Sequence, residues 1–129
     1  MTSTGLQGRK ILVVDDDFGC REAAALDLQH EGAIVTETDS YQGFMDHLKT
    51  GEHIDAVLTD YNLKQSMKSS HNGDQVMFDC EARGIPVILW SGYAQGHVER
   101  KIQATVRRFL PKDHSVVQAF VDLFEEEEK

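Results

Sequence analysis

Short apolar runs alternate with segments of helical periodicity along this chain. The apolar runs lie at 10–16, 33–38, 54–60, 85–92 and 107–112, and the helical segments lie at 18–32, 40–51, 74–84, 95–106 and 114–129. Runs such as ILVV and PVILW are continuous, which is typical of strands buried on both faces of a sheet. Strand and helix alternate five times. The pattern therefore predicts an α/β fold, with βαβ crossovers and helices on both faces of a parallel sheet.

Three of the helical segments carry apolar residues at the spacing of one helix face. The residues are Tyr41, Phe44, Met45 and Leu48 in the second segment, Val76, Met77 and Cys80 in the third, and Val117, Phe120, Val121 and Phe124 in the last. Gly32 and Gly51 follow the first two helices and predict their ends. The polar stretch over 61–73 predicts a long loop.

Composition narrows the class of protein. A chain of 129 residues, 40% hydrophobic and 27% charged, fits one globular domain. No apolar run approaches the ~20 residues of a membrane span, and the N-terminus lacks a signal-peptide core, so we expect a cytoplasmic protein without membrane contact. The net charge of −9 argues against direct contact with nucleic acid. Cys20 and Cys80 have no metal-ligand spacing and are interpreted as buried free thiols.

Polar residues follow several predicted strands at their carboxyl ends. They are Asp15, Asp16 and Asp17 after the first strand, Asp60 after the third, Ser91 after the fourth and Lys112 after the fifth. If these strands are neighbours, carboxylates, a hydroxyl and an ammonium converge where open parallel sheets bind ligands. Clustered carboxylates repel one another, and a bound Mg²⁺ removes that conflict and leaves room for a phosphoryl group. The acids that end the second strand are discounted, because a flanking strand lies off the crevice.

Four stretches carry a resemblance to a known family. ILVVDDD, AVLTDYNL, PVILWSGY and RRFLPK, in that order over essentially the whole chain, resemble the response-regulator receiver domain of two-component signalling. The spacings agree, with 44 positions from Asp16 to Asp60, 31 to Ser91 and 21 to Lys112. The resemblance implies a doubly wound, flavodoxin-like sheet of five parallel strands in the order 2-1-3-4-5. We expect a flexible N-terminal segment over 1–8 and a receiver domain over 9–129.

The resemblance also implies a role for each matched residue. Asp60 is expected to accept a phosphoryl group from a histidine kinase or a histidine phosphotransfer protein. Asp15, Asp16, Asp60 and the backbone carbonyl of Asn62 are expected to bind Mg²⁺, Ser91 and Lys112 to hold the phosphoryl oxygens, and Phe109 to be the switch aromatic. Such a domain is not an enzyme, although it slowly dephosphorylates itself, and it acts by changing its contacts with a downstream protein.

Two departures from the family pattern leave alternatives open. Asp113 follows Lys112 where the family has a cis proline, so we expect a trans bond there. The loop over 61–73 is longer than is typical. A pseudo-receiver that only docks a partner is therefore one alternative. A haloacid-dehalogenase-like phosphohydrolase, with Asp15 as nucleophile and Asp17 as acid–base, is another, although it leaves Asp60 without a role. Otherwise Asp17 is interpreted as a helix cap.

Tyr93 gives a first prediction. It lies two residues after Ser91, where a side chain can overhang a phosphoryl group and screen it from water; contact with a partner is the alternative use of this ring. We expect Tyr93→Ala to shorten the lifetime of phosphorylated Asp60, followed as the decay of the phosphoprotein. An unchanged lifetime would reject the screening role.

Overall fold

The predicted alternation of strands and helices is present in a computed structural model, which describes residues 5–60, 72–91, 109–111 and 115–127. The strands are β1 (Lys10–Val14), β2 (Ile34–Thr38), β3 (Ala56–Asp60), β4 (Val87–Ser91) and β5 (Phe109–Pro111). The helices in these ranges are α1 (Phe18–His30), α2 (Tyr41–Lys49), α3 (Asn72–Ala82) and α4 (Val116–Glu127). Helix α3 begins two residues before the predicted start at 74. The helix predicted over 95–106 lies outside the described residues.

The five strands form one parallel sheet. Their order is β2-β1-β3-β4-β5, which confirms the predicted order 2-1-3-4-5. In the centre of the sheet, Val14 at the end of β1 is level with Thr38 on one side and with Thr59 on the other. The carboxyl ends of β1, β2 and β3 therefore lie together at one edge of the sheet.

Alternate side chains of β1 enter two separate cores. Ile11 and Val13 pack with residues of α1 and α4, whereas Leu12 and Val14 pack with residues of α2 and α3. All four β1 side chains are at most 2% exposed. Both faces of the sheet are thus covered by helices, which explains the continuous apolar run and confirms the doubly wound architecture.

The helices bury the predicted faces, with one correction. Val76, Met77 and Cys80 of α3 are fully buried, and Phe44 is the buried centre of the α2 face. In α4 the buried stripe is Val116, Phe120, Leu123 and Phe124, whereas Val117 and Val121 are only partly buried. The stripe follows i, i+4, i+7 and i+8 spacing and places the two valines at its margin. No helix in the described ranges has the length and apolar composition of a membrane span.

The two cysteines differ in their surroundings. Both are free thiols. Cys80 is fully buried, and burial raises the pKa of its thiol to about 12. Cys20 is only half-buried, which corrects the expectation that both side chains are enclosed.

The N-terminal residues pack against the domain from Leu6 onward. Leu6 is fully buried in the core that holds α1 and α4. The N–H of Gly8 donates to the carbonyl of Gly32 at 2.9 Å. The guanidinium carbon of Arg9 lies 4.4 Å from the centre of the Phe124 ring in α4. The boundary at residue 8 stays a prediction, but the packed unit includes Leu6.

Leu6 gives a test of this packing. We expect Leu6→Ala to lower the free energy of unfolding by about 2–4 kcal/mol, because the lost methyl groups leave a cavity in the core. Urea denaturation measures the change. Gln7→Ala, at the neighbouring exposed position, is the control and should change stability by less than about 0.5 kcal/mol. A loss for Leu6→Ala as small as that of the control would mean that the segment is frayed in solution.

Candidate functional site

The strand register brings three carboxylates together. Val14 and Thr59 are partners in the ladder between β1 and β3, so Asp15 and Asp60 each follow one step later at the carboxyl edge. On its other side Asp60 is level with Trp90 of β4. One carboxylate oxygen from each of Asp15, Asp16 and Asp60 lies within 4.8 Å of the other two. The structure thus brings Asp60 next to two carboxylates that lie 44 and 45 positions earlier in the sequence.

The cluster is enclosed by the protein. Asp15 is fully buried, Asp60 is 7% exposed and Asp16 is half-buried. Ionised carboxylates at this separation repel each other, and the repulsion is stronger in a protein interior than in water. A hard divalent cation such as Mg²⁺ takes oxygen ligands and offsets that repulsion. The three carboxylates therefore form a donor set that fits Mg²⁺, and the half-buried Asp16 is the member most open to solvent.

Backbone hydrogen bonds fix the loop between β1 and α1. The N–H of Asp15 donates to the carbonyl of Thr38 in β2 at 3.1 Å. The N–H of Asp17 donates to Oδ1 of Asp15 at 2.9 Å. Oδ1 of Asp17 in turn accepts from the N–H of Cys20 at 3.0 Å and caps α1. The predicted cap is confirmed, and the same residue holds the carboxylate of Asp15.

Arg21 is a part of this region that the sequence interpretation missed. Its Nη1 donates to the backbone carbonyl of Asp15 at 2.9 Å, and its Nε donates to Oε1 of Glu37 at 3.3 Å. Glu37 belongs to the end of β2, whose acids the sequence interpretation discounts because a flanking strand lies off the crevice. No local pattern marks the pair, because the two residues meet only when β2 lies beside β1.

A family model settles the class of the domain. The model described as the response regulator receiver domain matches residues 11–121, a range that includes Asp15, Asp16 and Asp60. The chain belongs to the response regulator receiver family.

Solved receiver domains share this fold. A response regulator receiver protein from Sinorhizobium medicae is similar with a TM-score of 0.75 and 23% identity, over 96% of this chain and 99% of the other. The N-terminal domain of a three-domain response regulator from Carboxydothermus hydrogenoformans has a TM-score of 0.74 and 21% identity, over 94% and 100%. TrrA from Thermotoga maritima, solved in complex with Mg²⁺-BeF, has a TM-score of 0.66 and 20% identity, over 93% and 96%. A comparison with curated protein sequences gives no match.

The other predicted site residues of the receiver domain divide into two groups. Ser91 ends β4 level with Pro111, and Phe109 begins β5 level with Leu89, so both residues belong to described strands. Asn62, Tyr93 and Lys112 lie outside the described residues, as do the Lys112–Asp113 bond and the loop over 61–71. Because β4 and β5 end together, the backbone of Ser91 lies at the same edge of the sheet as Asp60.

Among the described residues, neither Trp90 nor a histidine belongs to the group that could hold a metal ion. Trp90 is 5% exposed and packs in the core, as predicted. His30 and His53 are exposed and His47 is half-buried, while the other three histidines lie outside the described residues. Within the part of the chain that the structure describes, Asp15, Asp16 and Asp60 form the group able to hold a metal ion.

Mg²⁺ is expected to stabilise the receiver domain through this cluster. A ligand that binds only the folded state adds about 2.7 kcal/mol when its concentration is a hundred times Kd. Thermal unfolding with and without Mg²⁺, at constant ionic strength, measures the effect. Asp16→Asn should largely abolish it because one ligand charge is lost. Asp27→Asn removes the same charge from the exposed face of α1 and should keep the full response. Equal responses in both variants would place the ion elsewhere.

Proposed function

We propose that Asp60 accepts a phosphoryl group from a phosphohistidine of a histidine kinase or a histidine phosphotransfer protein. The phosphorylated receiver then changes its contacts with a downstream protein. The observation that carries this proposal is the meeting of Asp15, Asp16 and Asp60 within 4.8 Å at the carboxyl edge of the sheet. Membership of the receiver family supports it.

The proposed chemistry needs an ionised Asp60. One of its oxygens attacks the phosphorus in line, the bond from phosphorus to the imidazole nitrogen breaks, and the electron pair of that bond stays on the imidazole. Asp15, Asp16, Asp60 and the carbonyl of Asn62 are the proposed metal ligands. Bound Mg²⁺ supplies positive charge to the transferring group. In the unphosphorylated domain the Asp60 side chain is 7% exposed, so its carboxylate is largely shielded from bulk water.

The remaining matched residues complete the proposal. Ser91 donates a hydrogen bond to a phosphoryl oxygen, and Lys112 contributes a positive charge to another. Phe109 is the proposed switch aromatic. Phosphorylation adds negative charge and strong acceptor oxygens at the edge of the sheet, which is a local change able to bias a two-state surface. The domain is therefore a phosphoacceptor whose output is a change of partner contacts, with slow self-dephosphorylation restoring the starting state.

The haloacid-dehalogenase alternative is less well supported by the same loop. It requires Asp17 to exchange protons with a substrate as acid and base. In this structure Oδ1 of Asp17 accepts the N–H of Cys20, so that oxygen already caps α1. The alternative also gives no role to Asp60, a nearly buried carboxylate in contact range of Asp15 and Asp16. The phosphoacceptor proposal gives a role to all three carboxylates, with Asp60 as the phosphorylated residue and Asp15 and Asp16 as metal ligands.

Incubation with acetyl phosphate and Mg²⁺ tests the proposal. A phosphate-affinity gel should show one retarded band for the wild type and none for Asp60→Ala. Asp27→Ala is a matched control, because it removes an exposed carboxylate near the C-terminal end of α1, the end of that helix opposite the loop of Asp15 and Asp16. This variant should be phosphorylated like the wild type. Chelation of Mg²⁺ should prevent the retarded band from forming in both proteins.

Two outcomes would contradict the phosphoacceptor role. Sustained hydrolysis of acetyl phosphate that survives Asp60→Ala would favour a phosphohydrolase. A folded wild-type protein that is phosphorylated neither by acetyl phosphate nor by a phosphorylated histidine kinase would favour a docking module.

A further inference from the structure

We infer that Arg21 is a positioning residue for the carboxylate cluster: it holds the loop that presents Asp15 and Asp16 in the geometry that binds Mg²⁺. The inference rests on the proposed function, because it concerns the affinity of the same site for its metal. Arg21 acts through its hydrogen bond to the loop backbone, and its guanidinium does not contact the metal.

Arg21 contacts the loop at both of its ends. Its side chain donates from Nη1 to the carbonyl of Asp15 at 2.9 Å, and its backbone N–H donates to the carbonyl of Asp17 at 2.9 Å. The residue between these two, Asp16, is the half-buried member of the cluster. The bond to Asp17 is the first main-chain bond of α1, whereas the bond to Asp15 is specific to the arginine side chain; together they flank the three-residue stretch from which two of the clustered carboxylates project.

The guanidinium is itself held in place. Nε donates to Oε1 of Glu37 at 3.3 Å, and the guanidinium carbon lies 5.3 Å from the centre of the Phe18 ring. The Arg21 side chain is 15% exposed and that of Glu37 is 35% exposed. An exposed ion pair contributes little to stability, but a largely enclosed guanidinium with two directed hydrogen bonds fixes an orientation. The backbone of Asp15 is thus connected to β2 in two ways. Its carbonyl is connected through Arg21 to Glu37, and its N–H donates directly to the carbonyl of Thr38.

Positioning and charge predict opposite effects of removing Arg21. A positive charge near the cluster repels Mg²⁺, so the charge by itself would make binding tighter after Arg21→Gln. Loss of the bonds that orient the loop would make binding weaker, as is found when residues that orient metal ligands are replaced. The direction of the change in affinity therefore separates the two effects.

Mg²⁺ titrations of the purified domain test the inference. Fluorescence of Trp90, the single tryptophan of the chain, reports binding because Trp90 is level with Asp60 in the sheet, and the Mg²⁺-dependent rise in melting temperature checks it. We expect Arg21→Gln to weaken Mg²⁺ affinity about tenfold. Arg21→Lys keeps the charge but cannot reproduce the fork of two directed bonds, so it should also weaken the affinity. Arg83→Gln makes the same charge change at the exposed residue that directly follows α3 and should leave the affinity unchanged.

The outcomes decide between the alternatives. Weaker Mg²⁺ binding by both Arg21 variants supports the positioning role, provided that thermal unfolding without Mg²⁺ shows both variants to be folded. Tighter binding by Arg21→Gln with unchanged binding by Arg21→Lys would show that Arg21 acts only through its charge. Unchanged affinity in both variants would overturn the inference. Failure of the proposed function would look different, because the wild type itself would then neither bind Mg²⁺ at the cluster nor be phosphorylated on Asp60.

Discussion

Parallel strands that end at the same level force like charges together in this domain. The register of β1 and β3 places Asp15 beside Asp60, and the next residue of the loop adds Asp16. Hydrophobic burial on both faces of the sheet fixes that register, because a shift by one residue would turn every apolar side chain of β1 to the wrong core. The free energy gained by the two cores thus maintains an arrangement of carboxylates that electrostatics alone would disperse.

The loop after β1 is held by bonds from three directions. β2 contributes the carbonyl of Thr38, α1 contributes Arg21, and the loop itself contributes the N–H of Asp17. Each of these bonds ends on the backbone or side chain of Asp15, which is fully buried. Asp15 is therefore a tightly constrained carboxylate, whereas Asp16 remains half-open to solvent. Under the proposed function, a rigid inner ligand beside a more accessible one suits a metal ion that also contacts the incoming phosphoryl group.

The features that sequence reasoning predicted are those with a local signature. Continuous apolar runs identify the strands, helical spacing identifies α2 and α3, and the position of Asp60 after a buried run indicates the edge where it lies. The strand order and the roles of the matched residues came from the family resemblance. Leu6 was missed because one leucine between glycines has no periodicity, and its burial depends on the distant helices α1 and α4.

Tertiary contacts explain the other differences. Arg21 and Glu37 are 16 residues apart and meet only because β2 packs beside β1, so neither residue carries a signal by itself. The face of α4 shifted because Val116 and Leu123, with Phe120 and Phe124, fit the core better than the two valines at the margin. The length of the loop before α3 depended on where that helix begins, and this boundary lies in a polar stretch, SSHN, that offers several possible N-cap residues.

Asp17 is an exposed residue at which we expect few substitutions to be tolerated. Its side chain is exposed, and exposed positions ordinarily accept most residue types during evolution. Here its oxygen starts a helix while its amide holds a buried acid. Short residues with an acceptor oxygen, such as Asn, Ser or Thr, best satisfy the first requirement, and proline would remove the second. The solvent-facing position 17 should therefore accept as few residue types as a core position does.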